Sequence, residues 1–298
     1  MSQIIDTFLF SEPHEADLLY IKLMNESPRV DWWIIQENAY TTKGEYKGCF
    51  ANEVLRDLRF QPFKDKIIVC SANEKLSDSS EEATNFQREG LQRTICAKVL
   101  NQICKDQEDL IIVSDVDESI DFSSQDRSDR FDAFYKQQDR PFWITRKRYW
   151  YDYDNLCNLR SIRIPVIQAK YLTDNVWVLP QSRHYHDESR TLQDWDNPVA
   201  FEYSYVFRKW EDVQRKHVTY AHCMLDKEHD VRLGLDINAW IRSKQRNEKR
   251  SEYDFFEQIE LTEENSPKYV RENLEKLKTN IVNPDYKEAR KKYVEIYT

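Results

Sequence analysis

Apolar strand-like runs alternate with helix-like runs through the first half of the chain, and that alternation restricts the fold to an α/β sheet. "IIDTFLF" reads as a strand, and "EADLLYIKLMNE" as a helix with Leu18, Leu19 and Leu23 near helical spacing. "VDWWIIQEN" and "DKIIVCS" supply two further strands. Between Glu81 and Cys104, Leu91, Ile95, Val99 and Ile103 recur every four residues, which predicts one long helix. Ser79 with Glu82 forms its expected capping box. "DLIIVS" then reads as a short buried strand, and ligands of such sheets sit beyond the carboxyl ends of the strands.

The second half is richer in strand signals: "PFWITRKRYWYDYD", "RSIRIPVIQAKYL", "NVWVLP", "VAFEYSYVF" and "HVTYAHCML". Beyond Gly234 the chain turns highly charged, and "SPKYVRENLEKLKTNI" places Val270, Leu274 and Leu277 on one helix face after Pro267. The expected architecture is therefore a single α/β domain over residues 1–235 with a mixed central sheet, and a charged helical extension over 236–298 packed on it.

With only four glycines, neither a Walker loop nor a G-x-G-x-x-G fingerprint can be drawn, so any nucleotide must be held by side chains and a metal. A net charge of -9 argues against nucleic acid as the main partner. The six cysteines include no C-x-x-C pair, which fits reduced thiols in a cytoplasmic protein better than a zinc site or disulfide scaffold. No apolar run of about 18 residues and no basic leader segment appear, so no membrane span is expected.

The chemistry concentrates in "DLIIVSDVDESID", where a strand runs into Asp115, Asp117, Glu118 and Asp121. Carboxylates this close repel unless water, protons or a cation intervene. Read alone, the segment allows four meanings. It suits a solvated acidic turn. Asp115, Asp117, Ser119 and Asp121 alternate as calcium-loop ligands do, although Ile120 stands where that loop needs glycine. Asp115, Asp117 and Ser119 also satisfy the D-x-D-x-[ST] motif of haloacid-dehalogenase-like phosphatases. Finally, a D-x-D at a strand end suits a nucleotide-sugar glycosyltransferase, in which a divalent cation neutralises the departing diphosphate.

The order of several segments resembles one family. "IIDTFLFSEPHEADLLYIKL", "WWIIQENAYTTKGEYKG", "REGLQRTICAKVL" before "DLIIVSDVDES", then "AFEYSYVF", "VTYAHC" and "SPKYVRENLEKLK" resemble the bisecting β-1,4-mannosyl-glycoprotein β-1,4-N-acetylglucosaminyltransferase family, N-acetylglucosaminyltransferase III. The resemblance implies a GT-A, Rossmann-like fold and inverting transfer from a UDP-sugar, best read as UDP-N-acetylglucosamine, to an oligosaccharide or glycoprotein acceptor. It also implies Mn²⁺ or Mg²⁺. A non-catalytic carbohydrate-binding protein of the same fold is the alternative. The known enzymes carry a membrane anchor; its absence here suggests a cytoplasmic, microbial or viral protein. Where the family has W-H-F-S-Y, this chain has Phe201, Glu202, Tyr203, Ser204 and Tyr205, which bears on donor and acceptor preference.

Carried onto this sequence, the resemblance makes Asp115 and Asp117 metal ligands, with Asp115 also meeting the donor, and His222 the third ligand; His184 and His186 are the runners-up. Asp6, Glu37, Arg88, Gln92 and Arg93 are expected at the nucleotide sugar, with Arg88 ahead of Arg93. The general base is expected to be Glu202, with Glu118 and Asp121 as alternatives. Arg146, Lys147 and Arg148, mixed with aromatics, suit an anionic acceptor or nucleic acid, or equally a half-buried strand with snorkelling bases.

Overall fold

A computed structural model describes residues 2–75, 85–150, 152–157, 164–172, 178–184, 187–208, 212, 215, 216 and 256–279. Two sheets form its frame. In the first, β1 (Ile4–Leu9), β2 (Trp32–Asn38), β3 (Ile67–Ala72) and β4 (Leu110–Asp115) run parallel in the order β3-β2-β1-β4. The second holds β5 (Glu118–Ile120), and the chain reaches it from β4 across two residues.

The first sheet is completed by β6 (Phe142–Ile144), which pairs antiparallel with β9 (Ile164–Gln168) and parallel with β10 (Thr191–Leu192), while β9 lies antiparallel to β4. The second sheet adds β7 (Arg146–Trp150), β8 (Asn155–Cys157), β11 (Ala200–Ser204) and β12 (Phe256–Gln258) in the order β12-β8-β7-β11-β5. The fold is thus α/β with mixed sheets, the GT-A-like single domain expected.

Strand side chains alternate between two cores, as a period of two requires. Ile4, Phe8, Trp33, Ile35, Leu110 and Ile112 enter one, whereas Ile5, Ile34, Ile111 and Val113 enter the other. Covering helices on both faces explain why these strands read as continuous apolar runs. Helix α1 (Ala16–Glu26) wedges between the sheets, sending Leu19 and Leu23 to the first core and Leu18 and Ile21 to a third under β7 and β11.

Several elements depart from expectation. The predicted long helix is two, α3 (Asn85–Gln92) and α4 (Ala97–Ile103), which follow the short α2 (Ala51–Val54). The break has a local cause. The Thr94 hydroxyl donates to the Leu91 carbonyl at 2.7 Å, and the Cys96 N–H donates to the Gln36 side chain at 3.1 Å instead of continuing the helix ladder. After α5 (Gln125–Tyr135), "PFWITRKRYW" divides at Thr145 into β6 and β7, which belong to different sheets. "NVWVLP", expected as a strand, instead ends in α6 (Val178–His184), which carries Ser182, Arg183 and His184 out of the expected polar loop.

The C-terminal helical signal resolves into α7 (Lys268–Glu272) and α8 (Leu274–Thr279), whose Val270 and Leu277 fill the third core. Ser79, Glu82, the "HVTYAHCML" strand and the 235/236 boundary lie outside the described residues. Cys49, Cys70, Cys96, Cys104 and Cys157 are free thiols.

Candidate active site at the junction of two sheets

The D-x-D segment occupies the crossing between the sheets. Asp115 is the last residue of β4, Val116 is buried, and Glu118 opens β5 opposite Glu202 of β11. The Tyr203 N–H donates to the Asp117 carbonyl at 2.8 Å, so β11 fixes the turn itself. The two aspartates therefore sit at the carboxyl end of the parallel strands, as expected.

Asp115 is held between two guanidiniums. Arg93 Nη2 lies 2.6 Å from Oδ1, and Arg183 Nη2 lies 2.6 Å from Oδ2. Burial pushes the carboxyl up, but Arg183 and Arg93 outweigh it and hold it well below the usual carboxylate range. Its N–H donates to Glu118 Oε2 at 3.0 Å. Glu118 in turn takes Arg183 Nη1 at 2.6 Å and Arg146 Nη1 at 2.9 Å.

Asp117 has different company. Lys216 Nζ lies 2.8 Å from its Oδ2, and the Ser204 hydroxyl donates to the same oxygen at 3.1 Å. Burial pushes its pKa up to about 6, with Lys216 opposing and Glu202, Asp115 and Glu118 adding to the rise. Ser204 also donates to Glu202 at 2.6 Å. Glu202 pairs with Arg146 and with Arg148 Nε at 2.9 Å; these two guanidiniums overcome its burial and keep it strongly ionised. Arg148 stacks over Trp150, its guanidinium carbon 4.6 Å from the ring centroid. Four acids thus meet Arg93, Arg146, Arg148, Arg183 and Lys216, which is how this sequence offsets the repulsion within its acidic cluster.

Beneath the junction lies Lys22, 1% exposed. Its Nζ reaches Asp6 Oδ2 at 2.5 Å and Glu26 Oε1 at 3.0 Å, and donates to Ser114 Oγ at 2.9 Å and the Glu118 carbonyl at 2.6 Å. One ammonium thereby ties β1, α1, β4 and β5 together. Asp6, expected at the nucleotide sugar, has no exposed surface, and its oxygens face Lys22 and the Ser114 hydroxyl behind the site.

Other expected contacts are redistributed as well. Glu37 accepts the N–H groups of Phe50 and Ala51 at 2.7 and 2.9 Å and the Ser71 hydroxyl at 2.6 Å, so it caps α2 where nucleotide contact was expected. Arg88 and Gln92 share a helix face, and both grip the loop after β2: Arg88 donates to the Thr42 carbonyl and Gln92 to that of Tyr40. Gly44 permits that loop's turn, because its φ of 82° is a backbone conformation that residues with a Cβ rarely adopt. Arg93, ranked second by sequence, is the arginine that reaches the acids. Asp121 lies apart from the cluster, fully buried against Arg127, which stacks on Phe201. His222 and His186 lie outside the described residues.

Glycosyltransferase family 17 matches residues 1–246. The chain belongs to that family. No curated protein matches it. The family is that of β-1,4-mannosyl-glycoprotein N-acetylglucosaminyltransferase III, and the protein is accordingly a glycosyltransferase, an enzyme with a sugar donor and a glycan acceptor. Its match extends past residue 235.

In this family 17 enzyme, the described residues bring together no three His, Cys, Asp or Glu side chains as a metal cage. Asp115 and Asp117 nevertheless offer hard carboxylate oxygens, and Mg²⁺-type ions commonly take one or two carboxylates and complete their shell with water and phosphate oxygens. The pair suits a cation shared with a diphosphate. It does not suit a calcium loop, because Ser119 accepts from Asn25 at 3.0 Å and Asp121 pairs with Arg127, away from Asp115. No helix among the described residues is long and apolar enough to cross a membrane.

Arg183 and Lys216 are the site residues that sequence reasoning missed. Neither sits in a motif, and each reaches the aspartates from an element distant in sequence. Arg146 and Arg148 were visible as a basic run, and their alternate spacing on β7 was the available signal that both face one side.

Proposed function

We propose that this glycosyltransferase is metal-dependent and inverting, moving N-acetylglucosamine from a UDP-sugar to a hydroxyl of an oligosaccharide or glycoprotein. The observation that carries the reading is the placement of Asp115 and Asp117 at the crossing from β4 to β5, ringed by guanidiniums and an ammonium that favour a polyanionic ligand. In this reading Asp115 and Asp117 hold Mn²⁺ or Mg²⁺. Bound there, the ion supplies Lewis-acid neutralisation of charge on the departing diphosphate.

The chain's own residues prepare that step. Arg93 fixes Asp115 and the Ser114 carbonyl, the latter at 3.0 Å. Lys22 holds the turn from beneath. Glu118 and Glu202, expected as candidate bases, act here as anchors for Arg183, Arg146 and Arg148, and Glu202, held ionised by two guanidiniums, is a weak proton acceptor. Asp121 anchors Arg127.

A thermal-shift panel of nucleotide sugars with and without Mn²⁺ tests the reading. UDP-N-acetylglucosamine with Mn²⁺ raises the melting temperature most, and NMR of the product shows the inverted anomer. Stabilisation by a non-uridine sugar nucleotide, or equal stabilisation without metal, contradicts it.

A further inference from the structure

Asp117 already has a cation on it. Lys216 Nζ lies 2.8 Å from Oδ2, its side chain is 13% exposed, and it passes 5.4 and 5.5 Å from the ring centroids of Tyr205 and Phe207. Arg93 differs in being fixed: it is 3% exposed and bound at once to Glu89, the Ser114 carbonyl and Asp115. Arg183 is likewise held by Glu118 as well as Asp115. Lys216 carries a compact charge on a flexible stem, and Asp117 is the acid it pairs with.

We propose that Lys216 is an exchanging counter-ion: it neutralises Asp117 in the donor-free enzyme and transfers to the diphosphate oxygens of the donor when a divalent cation takes its place on the carboxylate. This rests on the donor-site reading above and adds a specific residue and order to it. An ammonium and a divalent ion on one carboxylate oxygen repel each other, so the metal alone must displace Lys216 without compensation. The diphosphate supplies that compensation by receiving the displaced ammonium. Tyr205, at φ 59° and with its ring edge-on to Trp150 at 5.5 Å, keeps the aromatic wall along which the stem turns. The exchange makes and breaks only ionic contacts, with no proton leaving the lysine.

The test measures Mn²⁺ binding by electron paramagnetic resonance and UDP binding by calorimetry on the full chain, for wild type, Lys216→Met, Lys216→Arg and Asp117→Asn, with circular dichroism as a check of folding. In Lys216→Met, Mn²⁺ without UDP binds more tightly, on the order of tenfold, while UDP at saturating Mn²⁺ binds more weakly. Lys216→Arg stays near wild type in both. A purely structural lysine gives weakening of both ligands, and that result, or unchanged Mn²⁺ affinity, overturns the exchange. Loss of Mn²⁺-dependent UDP binding in Asp117→Asn supports the donor site independently. If wild type binds no Mn²⁺ even with UDP present, the donor-site reading and the exchange both fall.

Discussion

Arg183 Nη2 lies 2.6 Å from Asp115 Oδ2, so the first aspartate of the D-x-D motif is clamped from α6 as well as by Arg93 in the turn that follows α3. The same guanidinium serves Glu118 through Nη1 at 2.6 Å. One residue thus spans the end of β4 and the start of β5, and fixes the angle at which the chain leaves one sheet for the other.

Replacing Arg183 by Leu leaves two acids short of a shared partner. Breaking a buried pair from one side costs up to about 3–5 kcal/mol, less what Arg93 and Arg146 still supply. Urea unfolding of Arg183→Leu checks this, and Arg183→Lys recovers part of the loss. A variant as stable as wild type contradicts the clamp.

Lys22→Met removes the ammonium beneath the junction and strands Asp6 and Glu26 as buried acids; the loss is again about 3–5 kcal/mol. Burial and the nearby Asp6 already push Glu26 well above the usual carboxylate range, with Lys22 opposing. Asp6→Asn in the Lys22→Met background restores part of the stability, because it removes one stranded charge. Chemical denaturation of the two variants separates this from simple loss of packing.

The fold was legible where periodicity is strong. The parallel strands, α1 and the final helical segment all appear where their apolar spacing places them. The failures have local causes. The Glu81–Cys104 stripe hid a break because Thr94 and Cys96 divert backbone bonds to partners that periodicity does not report. Within the site, Asp115 and Asp117 were readable as a motif, whereas Arg183 and Lys216 join them only through tertiary contact. Asp6 and Glu37 stand out in the sequence because an acid in an apolar strand is conspicuous. Their partners, Lys22 and the N–H groups that open α2, could be found only in three dimensions.

Acid sensitivity centres on His14, which packs edge-on to Phe207 at 4.5 Å and faces Asp212 at 3.7 Å. Burial lowers its pKa to about 4; Asp212 opposes, and Lys216, Arg215 and Lys47 reinforce the drop. The unfolded chain, with an ordinary histidine near 6.5, binds more protons between those values, so folding stability falls as pH drops from about 6.5 towards 4. The full effect is at most about 3 kcal/mol. His14→Gln flattens this part of the stability–pH curve, as denaturation at pH 7 and pH 5 measures; an unchanged slope contradicts it.

Glu202→Gln distinguishes an anchor from a base. As the anchor of Arg146 and Arg148, its loss lowers activity but leaves the acidic limb of the kcat/KM–pH profile in place. Loss of that limb together with a fall of about 10²–10⁴ in rate is the signature of a general base and contradicts the anchoring role.

The central claim is that Asp115 and Asp117 form a divalent-cation site shared with the donor diphosphate. Titration calorimetry of UDP into wild type, Asp115→Asn and Asp117→Asn, with Mn²⁺ and with chelator, tests it most directly. The account predicts tight binding only for wild type with Mn²⁺, with both variants folded yet binding no better with metal than without. Unchanged Mn²⁺-dependent UDP binding in both variants would contradict it.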